Sequence, residues 1–365
     1  MARGISTAGD VVRTTVDGVS VSQLWTEFSD TLRLRNEARD NFLAYLGFKT
    51  TATGDQIAQT SDVDDMERAS EYGLPKALRA PGVFLTLGFN FDWFDAASRY
   101  TWKFLVDADA SQVEAVHQAV LEADNRLVFK AMMGALFNNV SRLNPEGLVV
   151  QPLYNNDGTV PPEYGGLVHA GTHSHYVTSG AGTMDGNDII DVTRHVTHHG
   201  KGDVSQGERV IVFMHPNEAE IARGIVRGAN SAADFIPSES APAFLTDQTI
   251  VGDRPPSALG RIPIFGSLGV AWLSESPLVP AGYLAAVSVA GSNDPRNVLA
   301  VREHVRPELR GLRQVPGSSS EYPLQDSTYS RGFGTGVRQR GGAAIMQITA
   351  SASYAVPALY QTVIA

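Results

Sequence analysis

The sequence predicts an α+β protein, and three observations carry that prediction. A proline-free segment from Ser111 to the Asn138–Asn139 pair keeps apolar residues at helical spacing. Short runs such as ERVIVFM, RIPIFGSLGVAWL and GYLAAVSVA are rich in β-branched and aromatic residues and are bounded by glycine or proline. Near the C-terminus, Ser330 to Ile348 (SRGFGTGVRQRGGAAIMQI) packs three arginines and no carboxylate into a glycine-studded stretch. It reads as a loop ahead of a strand, and as a joint between subunits more than a catalytic site.

Taken in order, the residues to about Phe48 space Leu24, Trp25, Phe28, Leu43, Tyr45 and Leu46 among polar neighbours. The pattern predicts an extended arm followed by a short amphipathic helix. Lys49 to Glu71 is polar and acidic, as expected of an exposed, extended loop. VFLTLGFNFDWF and RYTWKFLV predict two strands of a hairpin-like element. Ser111 and Glu114 have the spacing of a capping box for the long helix, with Val113, Val116, Val120, Ala123 and Leu127 on its apolar face. A second helix starts at Asp185, faces Ile189, Val192 and Val196 inward, and stops at Gly200. ERVIVFMHPNEAEIARGI reads as strand, turn at Pro216, and helix, and AAIMQITASASYAVPALY as a strand pair or extended edge.

With 365 residues, 43% of them hydrophobic, the chain can bury a large core in one domain or two to three lobes. No apolar run approaches the roughly 20 residues of a membrane span. The absence of cysteine excludes disulfides, thiolate metal sites and cysteine nucleophiles. A net charge of -10 argues against the chain as a whole wrapping nucleic acid. Charge is uneven, however: Asp62, Asp64, Asp65, Glu67 and Glu71 gather in one loop, and Arg331, Arg338 and Arg340 in the C-terminal block. One copy's acidic loop can thus meet another copy's basic segment.

Catalytic motifs fare poorly. GFGTGVRQRGG lacks the phosphate-loop pattern, no G-x-S-x-G elbow occurs, and nothing around Asp64 and Asp65 would raise a carboxylate pKa. Histidines fall in two groups: His169, His173 and His175, then His195, His198 and His199. His195 and His199 stand one helical turn apart and His173 and His175 share a strand face, so either pair could supply two zinc ligands. The glutamate of the familiar zinc-hydrolase motif is replaced by Val196, and the histidines are expected to pack and hydrogen-bond rather than bind metal.

Several segments together resemble the major capsid proteins of tailed bacteriophages, particularly a group from phages of actinobacteria. They are Tyr322 to Ile348, the following YAVPALY, Arg302 to Arg313 (REHVRPELRGLR), His173 to Gly182 (HSHYVTSGAG) and the helix segment ending MMGALFNN. The resemblance implies the Hong Kong ninety-seven-type capsid fold. It divides the chain into an N-terminal arm (1–48), an E-loop with adjoining strands (49–106), a P-domain with its spine helix (107–171), an A-domain (172–316) and a P-domain return (317–365).

The implied function is mechanical: pentamers and hexamers closing into an icosahedral shell around double-stranded DNA, bound without sequence specificity. No enzyme activity, cofactor, metal or membrane is implied. The implied partners are copies of the chain itself and, besides DNA, scaffolding, portal and decoration proteins. The implied location is the virion, after assembly in the host bacterial cytoplasm. The assembly contacts are expected at Arg331, Arg338, Arg340, Asp62, Asp64, Asp65, Glu67, Glu71 and Lys76, and alanine at all three arginines is expected to leave the subunit folded. An encapsulin-like compartment and a histidine-based metal hydrolase are the alternatives. With about 48 residues ahead of the E-loop, no long N-terminal scaffolding segment is expected. With no asparagine after Asn297, neither is a lysine–asparagine weld from Lys76.

Overall fold

Between Val21 and Leu46 neither glycine nor proline interrupts the chain, and these residues form one 26-residue helix, α1. It is far longer than the short helix expected. Ser20 accepts from the Gln23 amide at its start, and Gly47 ends it where the chain turns into a strand. The computed structural model describes residues 12–58, 68–69, 71–73, 84–228, 230–240, 254–316 and 324–362, with residues 38–43, 58, 316 and 324–325 by backbone alone.

The polar loop after α1 is partly strand: Gly54–Ala58 pairs antiparallel with Phe84–Gly88. The expected hairpin of VFLTLGFNFDWF with RYTWKFLV does not form. Asp92–Thr101 pairs instead with Leu324–Val337, and the chain after it winds into a one-and-a-half-turn helix, α2 (Trp102–Asp107), capped by Thr101. Then comes the long helix, α3 (Ala110–Phe137), 28 residues and about 42 Å at ~1.5 Å per residue. Its cap is Asp109, whose carboxylate accepts from the Gln112 amide, and not Ser111. Its buried stripe is Val113, as expected, and then His117, Leu121, Asp124 and Val128, each one position beyond the expected Val116, Val120, Ala123 and Leu127. The reason is polar: Tyr329 meets His117 Nδ1 and Arg331 meets Asp124, so each buried polar side chain has a partner on Leu324–Val337, although His117 Nε2 has none among the described residues.

Two sheets complete the molecule. In the first, the long strand Leu324–Val337 is flanked by Asp92–Thr101 and, on its other edge, by Arg313–Pro316 and Leu299–Glu303; Gly47–Thr50 adds in parallel to the last. The second has seven strands in the order Tyr176–Thr178, Ala343–Gln347, Tyr283–Val289, Arg209–Met214, Ala271–Glu275, Gly266–Leu268 and Phe235–Pro237. Thus Ala343–Gln347 lies inside this sheet and is no edge. Both sheets cross the expected division at 316/317, since Leu299–Pro316 contributes to the first and the C-terminal return to the second.

Helix α4 (Gly186–Thr197) begins at Asp185 with a capping box to Asp188 and buries Ile189, Val192 and Val196 as expected, and α5 (Pro216–Arg223) follows the buried strand Arg209–Met214. One core joins the C-terminal half of α3 (Met132, Phe137) to both sheets through Phe333, Val337, Val287 and Ile345. A second lies between the seven-stranded sheet and α4 and α5.

Candidate assembly site

The glycine-arginine block is not a loop. Its first part is the long strand, and alternation along that strand divides its side chains between two faces. Arg331, Phe333, Thr335 and Val337 turn to α3; the Thr335 hydroxyl donates to the Ala131 carbonyl at 3.4 Å. Gly332, Gly334 and Gly336 face the segment 88–91, which crosses almost in backbone contact. A Cβ at Gly334 would stand 2.0 Å from the Asn90 carbonyl oxygen, and one at Gly332 2.7 Å from the Trp93 ring. Close approach, rather than flexibility, is what these glycines supply.

Each arginine of the block fastens a different element of the same chain. Arg331 is 4% exposed, lies 3.3 Å from Asp124 of α3 and covers the Phe333 ring. Arg338 reaches the Asp55 carboxylate at 2.6 Å, in the hairpin strand Gly54–Ala58, and donates to the Pro295 carbonyl at 2.9 Å. Arg340 is 3% exposed, pairs with Asp157, donates to the Pro152 and Leu153 carbonyls and stacks 4.6 Å above Tyr154. Burial pushes the Asp157 carboxyl up, but the Arg340 guanidinium outweighs this and leaves it below its ordinary value.

Two further clamps hold the hairpin root, and neither was expected from sequence. Arg302 grips Glu146 through two nitrogens at 2.8 and 2.5 Å, and donates to the Phe89 carbonyl at 3.1 Å. That hydrogen-bonded pair holds the Glu146 carboxyl below its usual range. Asn144 donates to both the Thr53 and Phe89 carbonyls, at 3.0 and 3.1 Å. These bonds tie the Gly54–Ala58 and Phe84–Gly88 pair to the turn at Asn144–Glu146 and to the strand Leu299–Glu303.

Of the acidic-loop residues, Asp62, Asp64, Asp65, Glu67 and Lys76 lie outside the described residues. Glu71 is exposed and accepts from the Tyr72 hydroxyl at 3.2 Å, and Tyr72 itself is 93% exposed. The structure does not bring Glu71 to any of the three arginines among the described contacts. Alanine at all three arginines would not spare the subunit, because two of them are buried partners within it.

The histidines behave differently from either separate pair. His169, His173 and His175 precede the strand Tyr176–Thr178, while His198 caps the C-terminus of α4 and His199 follows it, and the two groups meet. Burial first, then the neighbouring imidazoles, pushes His173 and His198 down to about 4, and drives His175 and His199 further down. At neutral pH these are uncharged rings, each with one lone-pair nitrogen. Gly341, next to Arg340, lies against the His199 ring, where a Cβ would come within 3.0 Å.

No protein-family model and no curated protein matches the chain. A solved structure from Mycobacterium phage Patience is 36% identical, with a TM-score of 0.70, and the match covers 100% of this chain and 98% of that one. More remote are the capsid of an empty GTA particle (13% identical, TM-score 0.46, 85% of this chain and 90% of that one) and the holo-SrpI encapsulin complex from Synechococcus elongatus (12%, 0.43, 86% and 89%). The likeness to the phage structure runs from end to end and defines a phage capsid protein of the Hong Kong ninety-seven-type fold. The chain belongs to the major capsid proteins of tailed actinobacteriophages.

Proposed function

We propose that copies of this chain assemble as pentamers and hexamers into a closed icosahedral head that holds double-stranded DNA and has no enzyme activity. The full-length likeness to the Patience structure carries this reading. In it, α1 and the residues before it act as the arm, and the hairpin rooted at Gly54–Ala58 and Phe84–Gly88 as the E-loop. The first sheet with α3 serves as the peripheral domain and the seven-stranded sheet as the axial domain. Asp62, Asp64, Asp65, Glu67, Glu71 and Lys76 of the loop meet neighbouring copies. The arginine block acts on assembly indirectly, by holding the loop root and α3 at set angles. Scaffolding, portal and decoration proteins would join during assembly in the host cytoplasm.

Electron microscopy of the purified protein tests the reading directly. Closed shells with nuclease-protected DNA are expected from phage-infected cells, whereas a co-purifying enzyme inside the shells would point to a compartment. Failure to form any shell would sink the proposal. Arg338→Ala supplies the finer test. The Arg338–Asp55 pair is partly exposed, so its loss is expected to change subunit stability by less than about 1 kcal/mol while lowering the yield of closed shells. A normal yield would remove the loop root from the assembly mechanism.

A further inference from the structure

We propose that His169, His173, His198 and His199 form a structural zinc site that ties the loop before Tyr176 to the C-terminal end of α4. Each of the four offers a nitrogen, and these nitrogens all lie within 4.8 Å of one another. His173 Nε2 lies 3.1 Å from His199 Nε2 and 3.3 Å from His198 Nε2. Zinc held by imidazoles at about 2.0–2.1 Å in a tetrahedron sets its ligand nitrogens roughly 3.3–3.4 Å apart. Two edges are therefore already close to that length, and the wider ones close by small rotations of the side chains.

Protons satisfy this arrangement poorly. His175 Nδ1 donates to the Ala343 carbonyl at 2.5 Å, which leaves its Nε2 as a lone pair 2.9 Å from His199 Nε2. A neutral imidazole has one N–H. His199 Nε2 must then share a single proton between His175 and His173, while His173 faces His198 as well. Buried His169 Nε2 has no hydrogen-bond partner among the described residues. A cation at the centre would replace a split hydrogen bond and an orphaned nitrogen with four direct bonds. His175 stands behind His199 as a further donor in reach on the buried side.

The donor set chooses the ion. Four imidazoles and no carboxylate suit zinc and its transition-metal neighbours and disfavour calcium and magnesium, which take oxygen ligands. Four protein ligands also fill a tetrahedron and leave no position for an attacking water, so the site is structural and not hydrolytic. The groups it joins, His173 and His199, are 26 residues apart in the chain. Fixing them together restricts the unfolded chain and stabilises the folded one by mass action.

The test is a titration of Zn²⁺ into chelator-stripped wild-type subunits, which reads the same whether or not shells form and so stands apart from the assembly proposal. One equivalent of tightly bound zinc per chain, with a chelator-reversible rise in melting temperature, is expected. Weak binding of several ions, or none, would overturn the site on the wild type alone. His169→Gln and His198→Gln are each expected to weaken zinc binding more than about 100-fold, beyond the loss an outer-shell partner causes. Should both variants fold and keep wild-type affinity, the ligand assignment is refuted. In the Co²⁺-loaded wild type, the intense visible bands of a tetrahedral centre are expected, and an octahedral spectrum would count equally against the proposal.

Discussion

Arg331 and Asp124 face each other with 5% and 4% of their side chains exposed. Removing one partner of such a pair leaves a buried charge without its counter-ion, so Arg331→Ala is expected to cost the subunit about 3–5 kcal/mol in chemical denaturation. The double replacement Arg331→Met with Asp124→Leu should recover most of that loss, and additive losses would show that the pair is not the cause. His117, stacked at 4.1 Å on Phe28 and hydrogen-bonded to Tyr329, is pushed down to about 4, by burial first and Arg35 second. The unfolded chain takes up this proton near pH 6.5 and the folded chain only near 4, so stability is full above 6.5 and falls as the pH drops between them. The slope is at most about 1.4 kcal/mol per pH unit from this residue. Urea midpoints measured with chelator present should fall from pH 6.5 to 4.5, and by less in His117→Gln. None of these partners was legible in the sequence. Asp124, Asp55 and Asp157 lie 207, 283 and 183 residues from their arginines, and no local pattern links them.

The elements were legible where local rules decide them. Helix α4 announces itself by its Asp185 cap and apolar face, and Arg209–Met214 by an unbroken buried run. The long strand hid because alternate glycines imitate a flexible loop, when their actual role is to admit the chain at 88–91. Gly334→Ala is therefore expected to cost more than about 3 kcal/mol, since the added methyl would meet backbone and not a movable side chain. Gly182, with nothing within 4 Å of its added Cβ, is the control, and its alanine variant should stay within about 0.5 kcal/mol of the parent. Equal effects at the two sites would refute the close-approach account. The register of α3 was missed by one position for a related reason: apolar spacing alone cannot anticipate that histidine and aspartate hold core positions once tyrosine and arginine reach them from a distant strand. The histidine cluster was half legible, as two groups whose meeting only the tertiary fold supplies.

At the scale of the whole molecule, the absence of asparagine after Asn297 leaves no C-terminal partner for a lysine weld. Boiled, denatured particles should accordingly run as monomers on a gel, and a ladder of heavier bands would contradict this. Both sheets, meanwhile, depend on the end of the chain: Leu324–Val337 joins the strands of the first, and Ala343–Gln347 sits between two strands of the second. During synthesis, a ribosome that has delivered α1, the hairpin and α3 has not yet delivered the long strand Leu324–Val337. Contacts spanning so much sequence form late. A nascent subunit therefore cannot complete either sheet until these two strands have left the ribosome.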